Sequence, residues 1–293
     1  MDKPAGLDTE RRSRRRDFPL AGKRHPLIVG VLNVTPDSFS DGGEHFRKED
    51  AYRRAMEMAE EGADVIDIGG ESTRPGAEPV SAEEERARIL PLIQSLFGKV
   101  PVPMSVDTRR AAVAKVALDA GCAMVNDVSA CGDGAMPDVV REFGVPIVLM
   151  HMKGDPETMQ VAPHYDDVVL EVRTFLAERV ESLEQHGVES ARIVLDPGIG
   201  FGKRFRDNLD LLRSIGSIGA LGHPVMVGAS RKRFLGELLK REPNDRLSGS
   251  LAVAAWCFKN RVDMVRVHDV RETADLFRVL DAIEHPEDYP AAW

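Results

Sequence analysis

The sequence predicts an α/β fold, a single-domain (β/α)8 TIM barrel, from three observations. Eight short apolar runs recur along the chain, helical stretches separate them, and the repeat length is nearly constant. The runs are residues 27–34, 64–68, 102–106, 124–128, 146–150, 193–195, 224–227 and 264–267. Each is too short and too rich in Val, Ile and Met for an amphipathic helix. None alternates strictly, as expected of parallel strands buried on both faces. Between them, apolar residues at three-to-four spacing predict helices over 51–61, 83–96, 110–120, 168–186 and 271–283. Gly62 and Gly121 follow two of these stretches as C-terminal stops. From Asn33 to His268 the chain holds seven repeats in 235 residues, about 34 residues each, the size of one strand–helix unit. A doubly wound open sheet alternates in the same way. The barrel is preferred because eight units fill the length, with no linker or low-complexity boundary between them.

Composition excludes several classes. A chain of 293 residues with 43% hydrophobic and 30% charged side chains can bury a core and is no disordered tail. Its longest apolar runs, 27–32 and 251–255, fall far short of the roughly 20 residues that cross a bilayer, so no membrane partner is expected. Cys122, Cys131 and Cys257 form neither a CxxC pair nor a framework, which excludes a disulfide scaffold or zinc ribbon and predicts a reduced, cytoplasmic chain. The net charge of -9 is split: residues 1–24 hold +4 and the remainder -13. The basic run 11–16 has no aromatic or amphipathic companion. Residues 1–24 are therefore read as a basic tail before a domain spanning 25–293, and no nucleic-acid partner is expected.

Each apolar run ends at a polar residue: Asn33, Asp67, Asp107, Asn126, His151, Asp196, Ser230 and His268. In a (β/α)8 barrel these ends converge on one mouth, where catalytic residues sit. A single Asp or Asn after a strand commonly caps a helix. Eight in the same place exceed that account, since Asp67 precedes Gly69-Gly70 and Asp196 precedes Pro197-Gly198, neither of which opens a helix. Asp107, Asn126 and Asp196 suit a neutral heterocycle, because carboxylates accept paired hydrogen bonds from an amidine-like edge. Arg74, Arg231, Lys232, Arg266 and His268 suit a phosphate-bearing group. A ligand with a polar ring and an anionic tail fits both halves.

The glycine-rich segment 198–203 is not a nucleotide loop. A Walker A pattern fails at Pro197 and Arg204, and the dinucleotide fingerprint fails at Lys203. Its glycines instead let a loop approach a ligand closely. His151 and His268 belong to no HxH or HExxH set, which argues against zinc. Asn33, with Asp37 and Asp41 in the next loop, offers hard oxygen ligands of the sort magnesium accepts when a diphosphate supplies the rest.

Residues 32–43, LNVTPDSFSDGG, and 69–76, GGESTRPG, resemble the two pterin-binding signatures of the dihydropteroate synthase family. Further blocks match in order at 105–108, 126–128, 150–152, 196–203, 230–232 and 266–270, so the resemblance runs from about residue 26 to residue 284. It implies a barrel transferase of folate biosynthesis, a sulfonamide target and usually a homodimer, that joins 6-hydroxymethyl-7,8-dihydropterin diphosphate to 4-aminobenzoate and releases diphosphate. Carried over by position, it implies that Asp107, Asn126, Asp196 and Lys232 line the pterin pocket. Asn33, through magnesium, with Thr73, Arg266 and His268, would hold the diphosphate. Phe39, Thr73, Arg74, Pro75, Phe201 and Lys232 would shape the aminobenzoate site, and Asp41, Arg74, Lys232 and His268 would be the catalytic set.

The chemistry agrees with these roles. An aromatic amine is already nucleophilic at neutral pH, so the harder task is expelling diphosphate, and a dissociative displacement is expected. Arg204 and Asp207 stand where the family commonly has Thr and His, and 153–156 reads Lys-Gly-Asp-Pro where Gln-Gly-Thr-Pro is common. None of these is a substrate-contacting position in the carry-over. Two alternatives differ in kind: a methyltetrahydrofolate–corrinoid methyltransferase-like enzyme, and a silent pterin-binding paralogue. A methylated folate has no diphosphate for Arg266 and His268 to clamp, and retention of Asn33, Thr73, Arg74, Lys232, Arg266 and His268 argues against the second.

Overall fold

Closure of the sheet is made by one parallel bridge, Leu195 to Val225, reinforced by the Leu195 N–H donating to the Pro224 carbonyl at 2.8 Å. The computed structural model describes residues 18, 20, 23–34, 44–72, 79–155 and 158–289. The strands are β1 (Leu27–Asn33), β2 (Val65–Gly69), β3 (Met104–Asp107), β4 (Met124–Asp127), β5 (Ile147–Met150), β6 (Ile193–Asp196), β7 (Met226–Val227) and β8 (Met264–Val267). They pair in parallel in the order β6-β5-β4-β3-β2-β1-β8-β7, and the Leu195–Val225 bridge then joins β6 to the residue before β7. The result is the eight-stranded, nearly closed barrel that the repeat length predicts.

Among the described residues the helices are α1 (Glu44–Glu61), α2 (Ala82–Leu96), α3 (Ala111–Ala120), α4 (Met136–Phe143), α5 (Val168–Gln185), α6 (Phe205–Arg213), α7 (Ile215–Gly219), α8 (Arg233–Leu239), α9 (Leu247–Lys259) and α10 (Val270–Glu284). The five helices predicted from periodicity correspond to α1, α2, α3, α5 and α10. Their starts have local causes. The Ser81 hydroxyl accepts the Glu84 N–H at 3.1 Å, and one Asp167 oxygen accepts from Val169 and Leu170 at 3.0 Å each. Gly121 ends α3 at φ +128°, where a Cβ would collide with the Phe97 ring, so both backbone and space demand glycine.

Two layers fill the barrel. Leu27, Val29, Val65, Met124, Val148, Val194, Met226 and Met264 form an apolar plug at the N-terminal end, joined by Phe18. Lys23 pairs with Asp64 and Arg24 with Asp288 beside it. Two residues further along their strands from Val65, Met124, Val194 and Met264 stand Asp67, Asn126, Asp196 and Arg266. The period of two thus stacks a polar layer directly on the plug. The outward residues of the same strands, including Ile66, Val125, Ile147 and Val265, pack under the helices, which is why these runs show no simple alternation. The three thiols are free and buried, and no helix among the described residues is long and apolar enough to cross a membrane.

Candidate active site

The polar layer is wired through one carboxylate. Asp67, fully buried, accepts from the Ser105 hydroxyl, from Asn126 Nδ2 at 3.0 Å and from Arg266 Nε at 2.6 Å. Arg266 Nη2 donates to Asp107 Oδ2 at 2.7 Å, so one guanidinium joins two acids. The sequence reads Asp67 as a strand end facing the mouth. It is instead the middle residue of β2, and its acceptors are occupied by the protein itself. Burial alone would lower the Arg266 pKa, but Asp67 and Asp107 more than offset it and hold the guanidinium protonated. Burial raises the Asp107 carboxyl; Arg266 opposes that, and neighbouring acids led by Asp67 add to it. Asp196 is pushed up to about 6 by burial, although it accepts the Gly198 N–H at 2.7 Å and feels Lys232, Lys203 and Arg266.

The cationic side of the mouth is built on the ends of β7 and β8. His268 Nδ1 lies 3.1 Å from the Ser230 hydroxyl, which also accepts the His268 backbone N–H at 3.3 Å. Burial, with Arg266 and Arg231 nearby, pulls His268 down to about 3, so its imidazole is neutral at pH 7. Arg231, one of the cations expected to face an anion, is instead committed to both oxygens of Asp269. Asn33 ends β1 opposite Gly69, and a Cβ on Gly69 would lie 3.4 Å from Asn33 Oδ1 and 3.5 Å from Asp107 Cβ. The glycine keeps that corner open.

The turn after β6 forms the remaining wall. Gly198 has φ +68°, and a Cβ there would overlap the His151 carbonyl oxygen. Gln160 Nε2 donates to the Gly200 carbonyl at 2.8 Å and the Tyr165 hydroxyl to the Gly202 carbonyl at 2.7 Å, binding this turn to the segment after β5. Phe201 is buried against Val128, Met150 and Met159, and Lys232 Nζ stands 3.8 Å from its ring centroid. The two unusual residues Arg204 and Asp207 compensate each other. The Arg204 backbone N–H and Nε both donate to Asp207 Oδ2 at 2.8 Å, and Nη2 donates to Oδ1 at 2.9 Å. They form the capping pair of α6, and Arg204 Nη2 also donates to the Tyr165 carbonyl at 3.2 Å. Lys153, another departure, covers the Tyr165 ring at 4.1 Å.

Asn33, Asp107, Asn126, Asp196, Phe201, Lys232, Arg266 and His268 therefore stand on the C-terminal ends of the strands or the turns that follow them. Phe39, Asp41, Thr73, Arg74 and Pro75 lie outside the described residues, as does Asp37. Among the described residues no group of three or more His, Cys, Asp or Glu could hold a metal ion. Sequence reasoning missed Ser105 and Lys203. The signal for Ser105 was a small hydroxyl inside the apolar run Met104–Asp107.

Fold and mouth together define a (β/α)8 barrel whose strand ends bring buried carboxylates and an amide beside a guanidinium, an ammonium and an imidazole. A family model described as "Pterin binding enzyme" matches residues 29–268. The chain is 43% identical over 258 residues to dihydropteroate synthase of Escherichia coli (strain K12), covering 88% of this chain and 92% of that protein. Dihydropteroate synthase of Xanthomonas albilineans with 4-aminobenzoic acid aligns with a TM-score of 0.85 at 47% identity, over 89% of this chain and 93% of that one. The same species' enzyme in complex with 7,8-dihydropteroate aligns at 0.81 and 44%, over 89% and 94%. The chain belongs to the pterin-binding enzyme family, in its dihydropteroate synthase branch, and is a transferase.

Proposed function

We propose that this transferase condenses 6-hydroxymethyl-7,8-dihydropterin diphosphate with 4-aminobenzoate, giving 7,8-dihydropteroate and diphosphate, and that the two halves of the mouth divide the substrates. The observation that carries this reading is the junction of the acceptor set Asp107, Asn126 and Asp196 with Arg266 in one buried layer. Asp107, Asn126 and Asp196 take the N–H edge of the pterin, and Lys232 closes over it. Arg266, His268 and Thr73 hold the diphosphate. Phe201, Lys232, Phe39, Thr73, Arg74 and Pro75 enclose the aminobenzoate.

In the reaction the carbon–oxygen bond at the pterin methylene breaks ahead of carbon–nitrogen bond formation, the bonding pair leaves with the diphosphate, and the amine lone pair then bonds to the methylene carbon. The carboxylates of Asp107 and Asp196 favour the positive charge that builds on the pterin. Arg266 meets the growing negative charge, and a neutral His268 donates an N–H to it, a role for which the low His268 pKa is suited. Asp41 and Arg74 complete the proposed catalytic set on the strength of the family resemblance. The amine loses its proton after attack, and no strong base is required. Asn33 presents one neutral oxygen beside Gly69, a donor set that fits magnesium, which keeps waters and takes phosphate oxygens. Asn33 would hold that ion, which when bound neutralises charge on the diphosphate.

The direct test mixes the protein with dihydropterin diphosphate, aminobenzoate and magnesium and follows dihydropteroate and diphosphate. Equal release of both is expected; no aminobenzoate-dependent product would sink the reading, and retained pterin binding would then favour a silent paralogue. Exposed Leu238, Trp256, Val279 and Ile283 on α8, α9 and α10 support a homodimer, and the three buried free thiols a cytoplasmic one.

The raised Asp196 sets a pH dependence. The acceptor role needs the carboxylate, so kcat/KM for the pterin substrate should fall as pH drops through about 6. An Asp196→Asn variant should be slower throughout and lose the part of that fall centred near 6, while a fall near 7, where burial places Asp107, should remain. The sign for stability is opposite. Folded Asp196 binds its proton more tightly than the unfolded group, so its contribution is present below the unfolded carboxylate range of about 4 and is lost as pH rises through about 6. A component near pH 6 retained in Asp196→Asn would remove Asp196 from the assignment.

A further inference from the structure

Lys203 is 4% exposed, and its ammonium faces His151 Nδ1 at 3.0 Å, the Phe201 carbonyl at 2.9 Å and the His151 carbonyl at 3.2 Å. Three acceptors match its three protons, yet none is a carboxylate. A buried cation without an ion pair is costly to keep. Burial draws Lys203 down to about 7, with Asp196 opposing and Lys232 adding to the fall. His151 is held at about 3 by its own burial and by Lys203, so its ring is neutral at pH 7, and in the tautomer protonated on Nε2 its Nδ1 accepts from the Lys203 ammonium. Its ring plane is set by edge contact with Phe175, centroids 4.9 Å apart at 86°. The absent Cβ of Gly198 is what lets the His151 carbonyl come this close.

We propose that Lys203, seated on His151, is a positioning residue for aminobenzoate: it clamps the carbonyl of Phe201 and thereby holds the Phe201 ring beneath Lys232. This rests on the reading that Phe201 and Lys232 line the aminobenzoate site. The geometry links the two directly. The ammonium ties the backbone of the residue whose ring lies 3.8 Å from Lys232 Nζ to the end of β5, on a neighbouring strand. Tyr165 supports the same turn one residue on, through its hydroxyl bond to the Gly202 carbonyl at 2.7 Å.

The test is a double-mutant cycle on the full chain with Lys203→Met and Phe201→Ala, measuring KM for each substrate and kcat. Lys203→Met should raise KM for aminobenzoate by about tenfold, the equivalent of one good buried hydrogen bond, while KM for the pterin diphosphate changes far less. In the Phe201→Ala background the same substitution should add nothing to the aminobenzoate KM. If Lys203→Met does not fold, Tyr165→Phe removes one hydroxyl from the same turn and should move the aminobenzoate KM in the same direction by about threefold. A purely structural Lys203 would lower kcat or raise both KM values together, which overturns the proposal. An aminobenzoate KM unmoved by Phe201→Ala itself would show that the wall was misassigned, a separate failure that also ends the proposal.

Discussion

Arg266→Leu is expected to lower kcat/KM for the pterin diphosphate by about 10² to 10³-fold and to cost about 3–5 kcal/mol of stability, because it removes both an anion-stabilising donor and the partner that Asp67 and Asp107 share. Asp67 would keep Ser105 and Asn126, but Asp107 would lose the guanidinium 2.7 Å away while remaining 6% exposed. Its carboxyl, already raised by burial with Arg266 opposing, would rise further. The sign follows from proton binding. A folded state that must keep Asp107 protonated is penalised as pH rises, so the gap between variant and wild type should widen from pH 6 to pH 8 in urea unfolding. A gap that stays constant over this range, with turnover intact, would mean that Arg266 neither balances Asp107 nor meets the diphosphate.

The contrast between Asp67 and Asp107 marks how far the chain can be read without coordinates. Strand existence was legible because burial on both faces leaves a dense Val, Ile and Met signature, and Asp107, Asn126 and Asp196 were legible because polarity interrupts that signature at the mouth. Asp67 interrupts it too, yet hydropathy cannot say that its donors arrive from Ser105, Asn126 and Arg266, which lie 38, 59 and 199 residues away. The same blindness applies to Arg231, whose charge is met by Asp269, and to Lys203, whose partners are a histidine and two carbonyls. Short elements also escape periodicity. β7 spans two residues and α8 seven, too few repeats for a period: the apolar run 224–227 marked the strand and its polar end Ser230, whereas Lys232 was legible only from its motif. The departures at Arg204 and Asp207 became intelligible only as a pair, since each satisfies the other at the start of α6.

Lys232→Ala should separate function from folding in the opposite way to Arg266→Leu: kcat/KM is expected to fall by about 10² to 10³-fold while stability changes by about 1 kcal/mol or less. Lys232 stands at the N-terminus of α8 with φ -64° and ψ 155° and makes no side-chain capping bond there, so alanine can take its place without backbone strain. What is lost lies in the mouth. The ammonium over Phe201 disappears, and with it one of the cations that offset the burial of Asp196. Asp196 should then titrate above about 6, so the variant's acid limb should move to higher pH as its pterin affinity falls. Lys232→Arg keeps the charge near Asp196 and the contact with an aromatic face, and should leave the limb in place while still losing affinity, because a planar guanidinium does not reproduce a compact ammonium. Calorimetric pterin binding, a pH profile and thermal unfolding on the same preparations decide it. Unaltered turnover in Lys232→Ala would remove Lys232 from the site, and an unmoved acid limb would remove it as the electrostatic partner of Asp196.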